Sequence, residues 1–228
     1  MRYDLHLHTC LSPCADRDMT PANVAGLAKL AGAGLIAVTD HNSALNLPAA
    51  ARACREYGLR LLPGLEVTCA EEIHLLCYFK TVEAALEYGR QLWQALPPLP
   101  CDPAIRGEQW AMDEEDRVLA RINKLLPAAC AWPLEEAAAR CRFLGGEPVP
   151  AHADAGSYSA FSVLGLLPAE AGFRAVELQR PERAAEYERR GLLPPGLEVL
   201  ASSDAHFLSA VGGRMEELPP ESVLCRLL

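Results

Sequence analysis

All six histidines of this 228-residue sequence fall at the ends of short apolar runs, and none falls in a stretch with helical character. Histidines placed for packing or solubility would be spread over both kinds of segment. The fold must therefore bring several strand ends to one place. His6-Leu7-His8 closes a strand-type run over 3–8, and strand alternation puts residues 4, 6 and 8 on one face and Leu5 and Leu7 on the other. Related chemistry recurs at Thr39-Asp40-His41, Leu65-Glu66-Val67, Ile73-His74, Ala151-His152 and Asp204-Ala205-His206.

Caps and stops place the helices between these runs. Thr20 and Pro21 read as N-cap and first residue of a helix ending near Gly32, and Pro48 opens a second that Gly58 stops. Further helices are expected over 82–96, 113–126, 134–144 and 181–190, and strands over 35–39, 60–67, 73–79, 148–152, 174–179 and 197–202. Repeated strand-then-helix units point to an α/β protein with a parallel sheet, open or closed into a barrel. In such a barrel the C-terminal strand ends gather in one bowl, where six separated segments can supply one metal site.

Composition narrows the functional classes. A chain that is 50% hydrophobic and 22% charged is globular, and 228 residues are read as one domain, 1–228, with a Pro-rich insertion at 97–112 that is a surface spacer or a lid. No run reaches the roughly 18 apolar residues of a membrane span, and nine cysteines without a C-x-x-C pair read as reduced thiols. A cytoplasmic protein without a membrane partner is expected. The formal charge of −9 argues against a broad basic face and hence against a nucleic-acid partner, while divalent ions in a cleft would still admit a small anion.

The ordered motifs H-x-H-T, T-D-H, a Glu after Gly64-Leu65, a single His, a later His and a terminal D-x-H resemble those of the polymerase and histidinol phosphatase (PHP) family of metal-dependent phosphoesterases, over residues 3 to about 213. The resemblance implies a distorted seven-stranded (β/α) barrel of TIM-like type, with two or three divalent ions (zinc, manganese or iron) at the C-terminal strand ends. By position it implies that His6, His8, Glu66 and Asp204 hold a first ion, and that Glu66 bridges to a second held by His74 and His152. The third would take His41, His206 and Cys14, which stands where the family often has His; Asp16 is the rival ligand. A thiolate there favours zinc or ferrous iron over manganese.

The implied activity is hydrolysis of a small phosphorylated metabolite or nucleotide by a metal-activated water, with Glu66, Asp204 and His206 as the candidate catalytic residues. Arg17 and Arg180 are candidate phosphate clamps, and Asp40 and Asp154 candidate supports for imidazole N–H groups. Trp110 is the candidate platform for a nucleobase. Two other readings compete: an amidohydrolase, for which Lys80 is the one lysine that follows a strand, and a non-catalytic metal- or partner-binding module. Among the other cysteines, Cys54, Cys77, Cys130, Cys141 and Cys225 are read as small core residues, and Cys10 and Cys69 lie near the site without a role.

Overall fold

The chain starts with strand β1 (Arg2–Leu7), helix α1 (Pro21–Leu30), β2 (Leu35–Val38) and α2 (Leu47–Tyr57) in a computed structural model that describes all 228 residues. Thr20 caps α1 by accepting the Asn23 N–H, and Gly58 ends α2 with a left-handed φ of 65°, as their residue types predict. The expected strand at 60–67 is split into β3 (Arg60–Leu61) and β4 (Gly64–Thr68) around Pro63, which has no N–H for a ladder. Then come β5 (His74–Tyr78), α3 (Val82–Ala95), the short α4 (Pro103–Arg106), β6 (Trp110–Met112) and β7 (Val118–Arg121). The remainder is α5 (Leu134–Phe143), β8 (Glu147–Pro150), α6 (Ala160–Leu164), β9 (Ala175–Glu177), α7 (Ala184–Arg189), β10 (Glu198–Leu200) and β11 (Glu216–Glu217). No helix is long and apolar enough to cross a membrane.

These elements make a mixed α/β fold. β1, β2 and β3 pair in parallel with β11 antiparallel at the edge of β1, β9 pairs in parallel with β10, and β4, β5 and β8 form a third sheet. Isolated bonds join the sheets edge to edge. Glu66 N–H donates to Asp40 O and Asn42 N–H to Glu66 O; His8 N–H donates to Ala205 O; Ala153 N–H donates to Glu177 O.

The expectation of uniformly parallel strands fails at β5, which runs antiparallel to both β4 and β8. Residues 69–73 between β4 and β5 are too few for the crossover a parallel pair needs, so the chain must turn back. The reversal matters for the site: His74 opens its strand instead of closing it, yet arrives beside the C-terminal end of β4, with Thr68 as its partner in the ladder.

The strand alternation expected for residues 4–8 is also broken. The β1–β2 register shifts between Asp4 and Leu7, a bulge that sends Leu5 and Leu7 into different hydrophobic clusters. Leu5 belongs to a cluster with side chains of β1, β2, β5, β8, β9 and β10, closed by Leu218, Leu224 and Leu227. Leu7 belongs to the larger cluster that packs helices on the strands. Asp4 is drawn away from the histidines and accepts the Ser203 hydroxyl and the Gly212 N–H.

The helix expected over 113–126 does not form. The apolar spacing of Val118, Ile122 and Leu125 fits a helical stripe, but Asp113 Oδ1 accepts the N–H groups of Glu115 and Arg117, and Asp116 takes a φ of 58°. That side-chain turn outcompetes the helix and reverses the chain into the β6–β7 hairpin. The segment 97–112 packs against the loop that follows β1. Trp110 N–H donates to Cys10 O, the buried Gln109 amide donates to the carbonyls of Ile122 and Lys124, and a Cβ on Gly107 would overlap the Pro13 carbonyl. Of the cysteines expected in the core, Cys225 is exposed; the other four are buried.

Candidate metal centre

Glu66, 1% exposed on β4, is the hub on which the separated histidines converge. Its Oε1 lies 3.3 Å from His6 Nε2, 2.9 Å from His74 Nδ1 and 3.3 Å from His152 Nε2. Its Oε2 lies 3.4 Å from His8 Nε2 and 3.0 Å from His41 Nδ1. Asp204 Oδ1 is 3.4 Å from both His6 Nε2 and His8 Nε2, and the His206 ring stacks on His8 with centroids 4.2 Å apart. Three sets of donor atoms within 4.8 Å of one another result: His6, His8 and Glu66; His41, Glu66 and His74; and His8, His41 and His206.

The groups behind these histidines fix which nitrogen faces inward. His6 Nδ1 donates to Glu177 Oε2 at 2.9 Å, and the same oxygen accepts the His152 N–H. His8 Nδ1 donates to Ser12 Oγ at 3.0 Å; Ser12 in turn donates to Asp40, which also holds the Thr9 N–H and hydroxyl. Asp40 thus acts on His8 through Ser12, and its carboxylate holds no imidazole N–H directly, contrary to the expectation from its place beside His41. With both Nδ1 atoms donating, the rings when neutral present Nε2 lone pairs 3.3 Å apart, facing each other and the carboxylates of Glu66 and Asp204. Four acceptors facing one another without a proton or a cation between them repel, so the donor set is built for a cation. The buried His152 Nδ1 has no partner in the protein.

The electrostatics without a cation show the same demand. Burial alone would raise the Glu66 carboxyl, but His74, His6 and His41 outweigh it and hold it well below the ordinary value. Burial would lower His6, and Glu177, Asp204 and Glu66 reverse this and hold it well above the ordinary imidazole value. His8 goes the other way, lowered by burial and by the neighbouring His206. Desolvation would raise the Cys14 thiol, yet hydrogen bonds with His206 and His41 bring it down to about 7. Cys14 therefore sits beside the two histidines expected to share its ion, at the open edge of the centre. Asp16 touches this region through its backbone, its N–H donating to His206 O.

Two clefts open onto the cluster. One of about 190 Å³ is lined by Glu66, His74, His152, Tyr158 and His206 among others. The other, about 620 Å³, shares His152, Gln179 and Asp204 with it and adds Ser203 and Arg214. Neither expected phosphate clamp lines them. The Arg17 guanidinium lies 5.8 Å over the Trp110 ring, which Arg121 also approaches at 5.8 Å, and Trp110 lines neither cleft. Arg180 donates to Asp154, whose carboxylate also accepts the Gln179 N–H and the Tyr187 hydroxyl. Asp154 thereby braces the chain after β9 and does not hold an imidazole. Lys80 lies beyond the end of β5 opposite His74, about 20 Å away at the usual strand rise.

Sequence reasoning missed Glu177, Ser12, Tyr158 and Arg214. A carboxylate inside the apolar run Ala175-Val176-Glu177-Leu178 was the available signal for the first, since a buried charge needs a partner. The others stand in loops whose course no periodicity reveals.

The same fold occurs in several solved structures. A lesion-specific endonuclease from Pyrococcus furiosus superposes with a TM-score of 0.66 at 20% identity, covering 91% of this chain and 49% of its own, so this chain spans about half of that protein's length. A protein described as a metal-dependent phosphoesterase from Bifidobacterium adolescentis gives 0.60 at 20% identity (90% and 87% covered), and an amidohydrolase from Chromobacterium violaceum 0.62 at 23% (99% and 95%). An endonuclease Q of this fold has been seen on a 27-mer duplex with an abasic lesion at its active site. One protein of this fold thus takes duplex DNA at its active site, so the fold itself lends no support to the expectation that nucleic acid is excluded. No curated protein matches the sequence. The model of the PHP domain matches residues 4–124, more than half of the chain and the stretch that carries His6, His8, His41, Glu66 and His74, and the protein belongs to the PHP domain family.

Proposed function

We propose that this protein is a metal-dependent phosphoesterase acting on a small phosphorylated metabolite or nucleotide, in a distorted seven-stranded barrel whose rim holds two or three divalent ions. The barrel reading is supported by the bonds that link β1, β2, β4, β5, β8, β9 and β10 in a ring, with the Leu5 cluster inside it. The metal reading is carried by the opposed Nε2 lone pairs of His6 and His8 between two carboxylates. His6, His8, Glu66 and Asp204 would hold the first ion, Glu66 with His74 and His152 the second, and His41, His206 and Cys14 the third.

Bound there, divalent ions supply a water nucleophile at neutral pH and neutralise charge on the phosphoryl and leaving oxygens. The chain's own residues do the positioning. Glu66 reaches every ligand group, its Oε1 facing His6, His74 and His152 and its Oε2 facing His8 and His41, while Asp204 faces His6 and His8. Glu177 and Ser12 lock the tautomers of His6 and His8, so that neither ring must rotate when substrate arrives. Arg214, which has no carboxylate partner, replaces Arg17 and Arg180 as the guanidinium suited to a substrate anion. The carboxylated-lysine bridge of the amidohydrolase reading has no support from the position of Lys80.

Protein loaded separately with manganese, zinc and ferrous iron should bind two or three ions per chain and, offered phosphomonoesters, nucleotides, oligonucleotides and simple amides, should hydrolyse at least one of the phosphoesters. Occupancy below one ion per chain, or hydrolysis confined to amide substrates, overturns the proposal.

Two variants refine it. Cys14→Ala should lose about one ion per chain and part of its turnover, Cys14→His should recover both, and Asp16→Ala should lose neither. Full metal content in Cys14→Ala with one ion lost in Asp16→Ala transfers the role to Asp16. Arg214→Ala should raise KM on the order of tenfold, whereas Arg180→Ala, which removes a half-exposed guanidinium that pairs with the buried Asp154 and lines neither cleft, should change it little. Equal effects of the two would return Arg180 to the substrate.

A further inference from the structure

Six non-glycine residues have a left-handed φ, and three of them, His152 (30°), Tyr158 (52°) and Asp204 (51°), line the same small cleft. For a bulky residue this conformation is disfavoured and persists only where the surroundings enforce it, which is why such outliers cluster at functional sites. His152 and Asp204 are accounted for as ligands in the proposed centre. Tyr158 is not.

Its backbone is held from both sides. The Tyr158 carbonyl accepts the His74 N–H at 3.0 Å, and the next residue, Ser159, caps α6 while its hydroxyl also donates to Ala155 O. The ring is stacked on His74, centroids 4.9 Å apart and planes 22° from parallel, and is 48% exposed at the mouth of the cleft. Its hydroxyl makes no hydrogen bond within the protein. A tyrosine kept for packing would be buried, and one kept for backbone geometry would be glycine or asparagine. What the strained backbone secures is a phenol at the opening above Glu66 and the histidines.

We propose that Tyr158 is a substrate-contacting residue whose hydroxyl donates a hydrogen bond to a non-bridging oxygen of the bound phosphoryl group, with the ring forming the wall of the cleft over His74. This rests on the phosphoesterase reading. It assigns to residues 155–159 a role in binding that no motif in the sequence carries.

The test uses full-length, metal-loaded protein titrated with inorganic phosphate by calorimetry, alongside thermal melting and steady-state kinetics on whichever phosphoester is turned over. Tyr158→Phe keeps the ring and the backbone strain and removes only the hydroxyl. It should weaken phosphate binding and lower kcat/KM about tenfold, the size expected for a hydrogen bond to a charged group, with Tm and metal content unchanged. Tyr158→Gly accepts a φ of 52° without strain, so it should melt at or above the wild-type temperature while binding phosphate at least as weakly as the Phe variant. If wild-type protein binds phosphate and Tyr158→Phe binds it equally well, the assignment is wrong although the phosphoesterase reading stands. A sharply lower Tm in Tyr158→Gly together with normal binding in Tyr158→Phe makes the residue purely structural and likewise overturns it. If wild-type protein neither binds phosphate nor cleaves a phosphoester, the parent reading fails first.

Discussion

Glu66→Gln should reduce phosphoester hydrolysis by on the order of a thousandfold or more and leave the protein with fewer ions per chain. The substitution preserves shape, so the loss isolates charge. Five imidazole nitrogens lie within 3.4 Å of the two carboxylate oxygens, and a neutral amide offers them one weak acceptor and one NH₂ that points a donor where a cation belongs. The histidines themselves also change. His6, His41 and His152 are raised in part by Glu66, so without its charge they move back toward neutrality. Metal analysis and kcat on the same preparations give the result, with Lys80→Ala as a control expected to match wild type. Full metal content and near-normal turnover in Glu66→Gln would remove Glu66 from the centre of the mechanism.

The sequence disclosed the centre more fully than the path of the chain that builds it. Histidines at strand ends are legible because imidazole is rare in apolar runs, and His6, His8, His41, His74, His152 and His206 do meet around Glu66 and Asp204. The bulge in β1 was not legible, because alternation assumes an unbroken ladder, and a register shift leaves no mark in residue type. The reversal of β5 was legible in principle, since five residues between His74 and Thr68 cannot form a crossover, but its apolar content looks the same in either direction. At 113–126 the helical stripe was real and lost to a single aspartate turn. The arginines were the least legible. A guanidinium reaches far enough that its partner depends on loop positions, so Arg180 went to Asp154, Arg17 to Trp110, and Arg214, in an unremarkable Gly-Gly-Arg, came to the cleft.

Stripping the ions with a chelator should lower Tm by about 10 °C for each ion held at a thousandfold excess over its Kd, and the gap between loaded and stripped protein should widen as pH rises. The size follows from linkage, because such binding contributes about 4 kcal/mol and each kcal/mol moves Tm by about 2 to 4 °C in a chain of this length. The direction follows from the histidines. In the stripped protein His6, His41, His152 and His206 are all raised above the ordinary imidazole value, by Glu177 and Glu66 for His6, by Glu66 for His41 and His152, and by Cys14 for His206, each against burial. Their protonation therefore contributes stability that is fully present below the unfolded value of about 6.5 and is lost as pH climbs through the folded values. His8 and His74, lowered chiefly by burial, act oppositely but only below about pH 6.5, where the unfolded chain begins to take up protons that they refuse. Above that pH the raised histidines have only stability to lose, and Cys14, brought down to about 7 by His206 and His41, works in the opposite sense. As a thiolate ligand it does so in the loaded protein too, and so leaves the gap to the histidines. The loaded protein behaves in the reverse sense, since ligation requires neutral imidazoles and strengthens as protons leave. Melting curves of both forms between pH 6.5 and 8.5 decide the matter: a gap that stays constant or narrows would mean that the six histidines do not share their cavity with a cation.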